Sequence, residues 1–326
     1  MTTSGVPEEQ HTLITGGAGF IGSHLTERLL KAGEKVVVID DLSTGSLENL
    51  PKTNDKAKLR FIESDVTSCK ELDQIVAKSS YVYHLAAAVG VDLVVQSPIR
   101  TIETNLKSTE VILETAAYNN IPILLPSSSE VYGKSSRESF NETDDLLIGP
   151  PTLGRWSYAC SKLMDEFLAL AFYNERQLPV TVARLFNTVG PRQTGRYGMV
   201  LPRFIEAAKA NEPIRVFGDG QQSRCFCHVH DTIEALIRLA NCPAAPGNVF
   251  NIGSTEEVSI LELANRIITI TGSKSEIKLV PYDLAYDPGF EDMQRRKPLI
   301  NKLEEFTDFR PKTSLDDIIR SVAEID

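Results

Sequence analysis

No part of this 326-residue chain is apolar for longer than a strand needs, so nothing in it predicts a membrane-spanning helix. The opening residues, Met1 to Gln10, are polar and include Pro7, Glu8 and Glu9, unlike the apolar centre of a secretion signal. Cysteine is sparse and odd in number: Cys69, Cys160, Cys225, Cys227 and Cys242 are scattered, which argues against a disulfide framework. A reducing, cytoplasmic setting is expected. Positive charge is also short, with 34 Lys and Arg against 44 Asp and Glu and a formal net charge of −10. That balance disfavours nucleic acid, whose phosphate backbone needs a basic surface. A small phosphorylated ligand stays open, since a few arginines and backbone N–H groups can hold it. Internal repeats and low-complexity linkers are missing too. What is present, 42% hydrophobic and 24% charged residues, is enough for one large or two modest folded domains.

In the first half, short β-branched runs alternate with helical patterns. The strands expected are Thr12–Thr15, Lys35–Ile39, Leu59–Glu63, Tyr81–Leu85, Ile121–Pro126 and Val180–Leu185. The helices between them are Ile21–Lys31, Glu71–Ala77, Ile99–Tyr118 and Tyr158–Glu175. Alternation of this kind predicts βαβ units and an α/β, Rossmann-like, doubly wound parallel sheet. After about Arg184 the rhythm changes. Helices near Val200–Ala210, Thr232–Asn241 and Ile260–Thr271, with strands Ile214–Phe217, Asn248–Ile252 and Ile277–Val280, predict a smaller α+β lobe. The expected division is residues 1–184 for the sheet domain and 185–326 for the lobe, with interleaving allowed. A cleft between the two is the expected ligand site.

The first strand runs into Gly16-Gly17-Ala18-Gly19-Phe20-Ile21-Gly22 and then a helix. Gly16 permits the turn, Gly19 lets a pyrophosphate approach the backbone, and Gly22 allows close helix–strand packing. The helix N-terminus supplies free N–H groups and a positive dipole end. The second strand ends at Asp40, where a carboxylate can accept the adenosine ribose hydroxyls and repel a 2′-phosphate, so NAD is expected over NADP. Asp41 is the alternative. Tyr158 and Lys162 lie four apart on one helix, on one face. A nearby ammonium, together with the positive nicotinamide ring, is expected to lower the phenol's pKa and make Tyr158 a proton acceptor for a sugar hydroxyl. Ser127-Ser128-Ser129 closes the preceding strand at its carboxyl end, facing the same cleft.

These segments resemble the extended short-chain dehydrogenase/reductases that modify nucleotide sugars. The resemblance also rests on Asp40-Asp41-Leu42-Ser43-Thr44-Gly45, His84-Leu85-Ala86-Ala87, Ser128-Ser129-Glu130-Val131-Tyr132-Gly133, Asn187-Thr188-Val189-Gly190-Pro191-Arg192 and Gln222-Ser223-Arg224. It implies a held NAD and a nucleotide-linked sugar, UDP-linked above all, oxidised at carbon 4 and later given its hydride back. The cofactor residues implied are Gly16, Gly19, Phe20, Ile21, Asp40, Asp41, Thr44, Gly45, Asp65, Val66, Leu85, Ala86, Ala87, Tyr158 and Lys162. The substrate residues implied are Ser129, Asn187, Arg192, Arg196, Gln222, Arg224 and Arg295. A homodimer paired through helices Ile99–Tyr118 and Tyr158–Glu175 is implied as well, with Ile112, Leu113, Phe167 and Leu170 as its apolar positions.

Within that family the residue before Val131 separates reactions. Simple 4-epimerases tend to carry a small or hydroxylated residue there, whereas this chain has Glu130. The 4,6-dehydratases pair a Glu with an Asp, and Ser129 stands where that Asp would be. Ser128-Ser129-Glu130, with Arg155 three residues before Tyr158, resembles the UDP-glucuronate decarboxylases. Tyr158, Lys162, Ser128 and Glu130 are therefore the expected catalytic residues. The stretch Gly190 to Pro202 is closer to epimerases, so a UDP-hexose or UDP-hexuronate 4-epimerase is the alternative. A non-catalytic NAD-sensing protein is the reading from a different class, and the intact Tyr158 and Lys162 speak against it. Cys225-Phe226-Cys227 with His228 and His230 alternates as a strand does, so its side chains cannot all converge and no metal is expected.

Overall fold

The computed structural model describes residues 10–52, 58–88, 97–193, 199–281 and 293–325. Its centre is a seven-stranded sheet of β1 (His11–Thr15), β2 (Val36–Asp40), β3 (Leu59–Glu63), β4 (Ser79–His84), β5 (Ile123–Ser128), β6 (Val180–Leu185) and β11 (Val249–Ile252). The strands lie in the order β11-β6-β5-β4-β1-β2-β3 and every pairing is parallel. The order reverses between β1 and β4, and the carboxyl ends of those strands open a crevice there. This is the doubly wound α/β fold that the alternation predicted.

The run Val36-Val37-Val38-Ile39 shows why β2 forms. All four side chains are buried, with Val36 and Val38 entering one core and Val37 and Ile39 the other. Only a strand with covered faces on both sides makes use of so continuous an apolar run. Helices α1 (Phe20–Lys31) and α6 (Val229–Ala240) supply Leu25, Leu29, Ile233 and Leu236 to the first core. Helices α2 (Leu72–Ala77), α3 (Pro98–Asn119) and α4 (Trp156–Arg176) supply Ile75, Ile112, Leu113 and Phe172 to the second. Ile112 and Leu113 are fully buried against the sheet, which corrects their assignment to a face between chains. The outward apolar residues on α3 and α4 include Ile99, Ile102, Tyr118, Met164 and Phe167.

The smaller lobe has its own core, built on α5 (Val200–Lys209), β8 (Ile214–Phe217), α7 (Ile260–Thr271) and α9 (Leu315–Ala323). Short strands β7 (Thr188–Val189), β12 (Glu257–Ser259) and β13 (Ile277–Val280) and helix α8 (Asn301–Thr307) also fall in the second half of the chain. The lobes interleave. The strand expected at Asn248–Ile252 belongs to the large sheet, where β11 pairs with β6, and α6 packs there with it. Although β11 is the edge strand, both its faces are covered, Phe250 and Ile252 by the first core and Val249 by the second. Cys225 and Cys227 fall on two separate short strands, β9 (Ser223–Cys225) and β10 (Cys227–His228), interrupted at Phe226. Among the described residues no cluster suits a metal ion, and no helix is long and apolar enough to cross a membrane.

Candidate active site

A cavity of about 470 Å³ runs from the Gly16–Gly22 loop, past the carboxyl ends of β1, β4 and β5, to the small lobe. At its first end the backbone itself makes the wall. A Cβ added at Gly22 would sit 2.1 Å from the Gly16 carbonyl oxygen, and one at Gly16 would sit 2.6 Å from the Ala86 amide nitrogen. Neither position tolerates a side chain, and Gly16 also has φ +71°. Asp40 lies at the end of β2, buried, with Oδ2 accepting from Ala18 N at 2.9 Å and Oδ1 from Leu42 N at 2.8 Å. Burial pushes its carboxyl above the usual range, against the Leu42, Ala18 and Gly19 N–H groups that pull it down. Each oxygen keeps a lone pair for a hydroxyl. A glycine cradle at a helix N-terminus beside a buried, backbone-fixed carboxylate fits the pyrophosphate and ribose of a dinucleotide.

Phe20, Ile21, Asp41, Thr44, Asp65, Val66, Leu85, Ala86 and Ala87 line the same end. Asp65 has a local duty as well, since its Oδ1 accepts from Thr67 N at 2.7 Å and caps the turn Val66–Ser68. Gly45 is not in the wall; it packs against Ala18, where a Cβ would meet the carbonyl carbon at 2.9 Å.

At mid-cavity stand Tyr158, Lys162 and Ser128. The Ser128 hydroxyl hydrogen-bonds the Tyr158 phenol. The phenol's pKa lies above its ordinary value, raised first by burial and then by the charge of Glu130. In the protein alone, burial and the Glu130 charge outweigh the Lys162 ammonium. Lys162 Nζ, almost wholly buried, donates to Asp165 Oδ2 at 2.8 Å, and that carboxylate opposes its charge.

The far end is built from charge. Glu130 Oε2 accepts from Arg155 Nη1 at 2.7 Å, and its Oε1 lies 2.5 Å from Arg296 Nη1. Burial alone would raise this carboxyl, but the Arg296 and Arg155 guanidiniums outweigh it and hold the pKa down to about 2. Arg155 is further fixed by stacking over the Trp156 ring, 4.7 Å from its centroid. Gln222, Arg224 and Asn187 line this end, Asn187 with its Nδ2 on the Cys225 carbonyl at 2.9 Å. Ser129 is also in the wall but almost inaccessible.

Arg295 is not in the cavity. Strand β14 (Arg295–Arg296) pairs parallel with β9, placing Arg296 beside Arg224 and Arg295 beside Ser223. Successive strand residues face opposite ways, so Arg296 enters the cavity with Arg224 while Arg295 turns outward to Glu257. Arg192 is outside as well: exposed, in a left-handed conformation at φ +68°, and ion-paired with Glu27 of α1. Arg196 lies outside the described residues. Residues the motifs did not single out include Arg203, whose guanidinium sits 4.3 Å from the Phe217 ring centroid, both lining the small-lobe wall. Their signal was faint, for nothing in sequence joins α5 to the end of β8.

The profile of the GDP-mannose 4,6 dehydratase family matches residues 13–322. A UDP-N-acetyl-alpha-D-glucosaminuronate decarboxylase of Bacillus cytotoxicus is 40% identical over 307 residues, 94% of this chain and 94% of that one. UDP-glucuronic acid decarboxylase 1 of Arabidopsis thaliana is 34% identical over 93% of this chain and 66% of its own length. Among solved structures, the UDP-glucuronic acid 4-epimerase of Bacillus cereus in complex with UDP-glucuronic acid and NAD is similar, with TM-score 0.86 and 28% identity. The match covers 97% of this chain and 98% of that one.

Proposed function

The chain belongs to the GDP-mannose 4,6 dehydratase family, and from that premise we propose that it is an NAD-dependent decarboxylase of a UDP-linked uronic acid, yielding a UDP-pentose. The observation that carries this reading is Glu130, held ionised between Arg155 and Arg296 a short way from Tyr158. Two guanidiniums around one carboxylate leave a surplus positive charge at the sugar end, with Arg224 adding to it, and that suits a second carboxylate on the substrate. An uncharged hexose has no use for it. The relatives named as uronate decarboxylases, at 34% and 40% identity, support the same reading.

NAD, bound along the glycine cradle and Asp40, supplies the acceptor and later the donor of the hydride at carbon 4. Tyr158 takes the proton of the carbon-4 hydroxyl, and Ser128, hydrogen-bonded to the phenol, shares it. Lys162 holds a positive charge beside that proton path. Oxidation at carbon 4 turns the uronate into a β-keto acid, whose carboxylate leaves as carbon dioxide while the electron pair moves into an enolate. Arg155 and Arg296 orient the departing carboxylate, and Glu130 keeps both guanidiniums in place and orders the donor that reprotonates the ring carbon. Arg203 and Phe217 give the nucleotide base a flat wall. The far face of α3 and α4, with Ile99, Ile102, Met164 and Phe167 exposed, serves pairing of two chains, and the reading takes the enzyme as a cytoplasmic homodimer.

The second reading, inversion at carbon 4 with the carboxylate kept, is favoured by the structural likeness to the UDP-glucuronic acid 4-epimerase. Incubation with NAD and, separately, UDP-glucuronate, UDP-N-acetylglucosaminuronate and UDP-glucose separates the outcomes by product mass for decarboxylation and by proton NMR for isomers of unchanged mass. Loss of carbon dioxide from a uronate is expected. A UDP-uronate isomer of unchanged mass selects the epimerase, and turnover of UDP-glucose alone removes the role given to the arginines.

A further inference from the structure

Lys162 is paired with Asp165, a carboxylate that the reaction scheme does not use. Both lie on α4 one turn apart, the Lys162 side chain 5% accessible and the Asp165 side chain wholly inaccessible, with Nζ to Oδ2 at 2.8 Å. The other oxygen, Oδ1, is buried without a partner at full hydrogen-bond geometry, the Thr109 hydroxyl giving the carboxylate its one further polar contact. A buried carboxylate so incompletely satisfied is costly, and its persistence points to a duty. The groups around it do not share that duty. Glu166, next in sequence, has both oxygens engaged by Arg184, Oε1 by Nε at 3.0 Å and Oε2 by Nη2 at 2.8 Å. His84 at the end of β4 bonds Thr15 Oγ1 through Nδ1 at 2.7 Å and faces Thr109 of α3 through Nε2. Its pKa is held down to about 3, by burial first and by the Lys162 charge second, so it is neutral near pH 7. Burial raises the Asp165 carboxyl, and Lys162 first and the uncharged Thr109 hydroxyl second pull it back. Glu130, on the substrate side of Tyr158, is matched by Arg155 and Arg296. The countercharge of the buried ammonium therefore falls to Asp165.

We propose that Asp165 is a positioning residue for the Tyr158–Lys162 pair: it fixes the Lys162 ammonium from behind and sets the pH at which the pair gives up its proton. The inference rests on the reading of Tyr158 as proton acceptor. The phenol and the ammonium together carry one positive charge before that proton leaves and none after. A fixed negative charge behind them makes the loss harder, whichever of the two groups releases the proton. Asp165 thus keeps the pair protonated and neutralised in the resting enzyme and fixes the direction in which Nζ points.

The test is Asp165→Asn, which keeps shape and removes charge. The pH profile of kcat/KM for carbon-4 oxidation, read as reduction of the bound nicotinamide, is expected to have its rising limb displaced to lower pH by about one unit. A uniform loss of rate with the limb unmoved assigns Asp165 a merely structural part and overturns the proposal. A second readout needs no substrate: melting temperatures of Asp165→Asn, Lys162→Met and the double variant. Each single change is expected to lower the melting temperature, with the double no worse than the poorer single; strictly additive losses overturn the proposal. Because this cycle is run on substrate-free protein, its failure is distinct from failure of the decarboxylase reading. If Asp165→Asn does not fold, the profile is taken on Asp165→Glu, which keeps the charge. An unmoved limb there supports the proposal and a displaced one overturns it.

Discussion

The two ends of the cavity are made by different means. The cofactor end is backbone: a strand, a turn where Gly16 and Gly22 admit no Cβ, a helix N-terminus, and one carboxylate tied down by N–H groups. The sugar end is side chain: three arginines and a glutamate drawn from β5's exit, the start of α4, β9 and β14. A backbone wall recognises what every dinucleotide shares. A charge cluster assembled from distant segments distinguishes one sugar from another. Chemistry common to the fold is thus placed at the first end and the choice of reaction at the second.

Changes along the cavity should break this contrast unequally. The largest effect belongs to the centre that both ends serve. Tyr158→Phe removes the proton acceptor and little volume, and turnover is expected to fall by about 10³-fold or more with NAD affinity within about threefold of the parent, read by steady-state kinetics and titration. Arg296→Met is expected next, lowering kcat/KM for the uronate by about 100-fold, while Arg295→Met at the neighbouring position changes it less than about threefold. Equal effects of these two would erase the register argument. Gly22→Ala acts at the backbone end, and NAD affinity is expected to drop by about tenfold as the loop shifts to relieve the clash with the Gly16 carbonyl.

The smallest effect is on acid stability. Glu130 has a folded-state pKa near 2 against an ordinary 4.5, so the stability it contributes is complete above the ordinary value and is lost as pH falls from there toward 2. Melting temperature measured from pH 6 to pH 3 should therefore decline less steeply in Glu130→Gln than in the parent.

The same contrast explains what was legible in the sequence. Patterns that are local and periodic read directly: Leu59–Glu63, Val180–Leu185, Ile260–Thr271 and Ile277–Val280 have the bounds that their alternation and helical spacing predicted. The glycine loop and Asp40 lie together in the cavity wall because they end two neighbouring parallel strands, β1 and β2. Arg296 did not, because a two-residue strand has no pattern of its own and only its pairing with β9 decides which arginine faces inward. Strand β11 was seen as a strand but not as part of the large sheet, since its partner β6 lies far away in sequence. Asp165 was missed for another reason. A carboxylate three residues after a lysine is ordinary on an exposed helix, and its meaning comes only from burial.

The central claim is that Glu130, clamped by Arg155 and Arg296, governs the loss of carbon dioxide from the keto sugar rather than the oxidation that precedes it. Single-turnover analysis of Glu130→Gln with UDP-glucuronate and NAD tests it, tracking nicotinamide reduction and carbon dioxide release in the same reaction. The account predicts that reduction stays within about threefold of the parent rate while release slows by about 100-fold and reduced cofactor accumulates. Equal slowing of both steps, or unimpaired release, would contradict it.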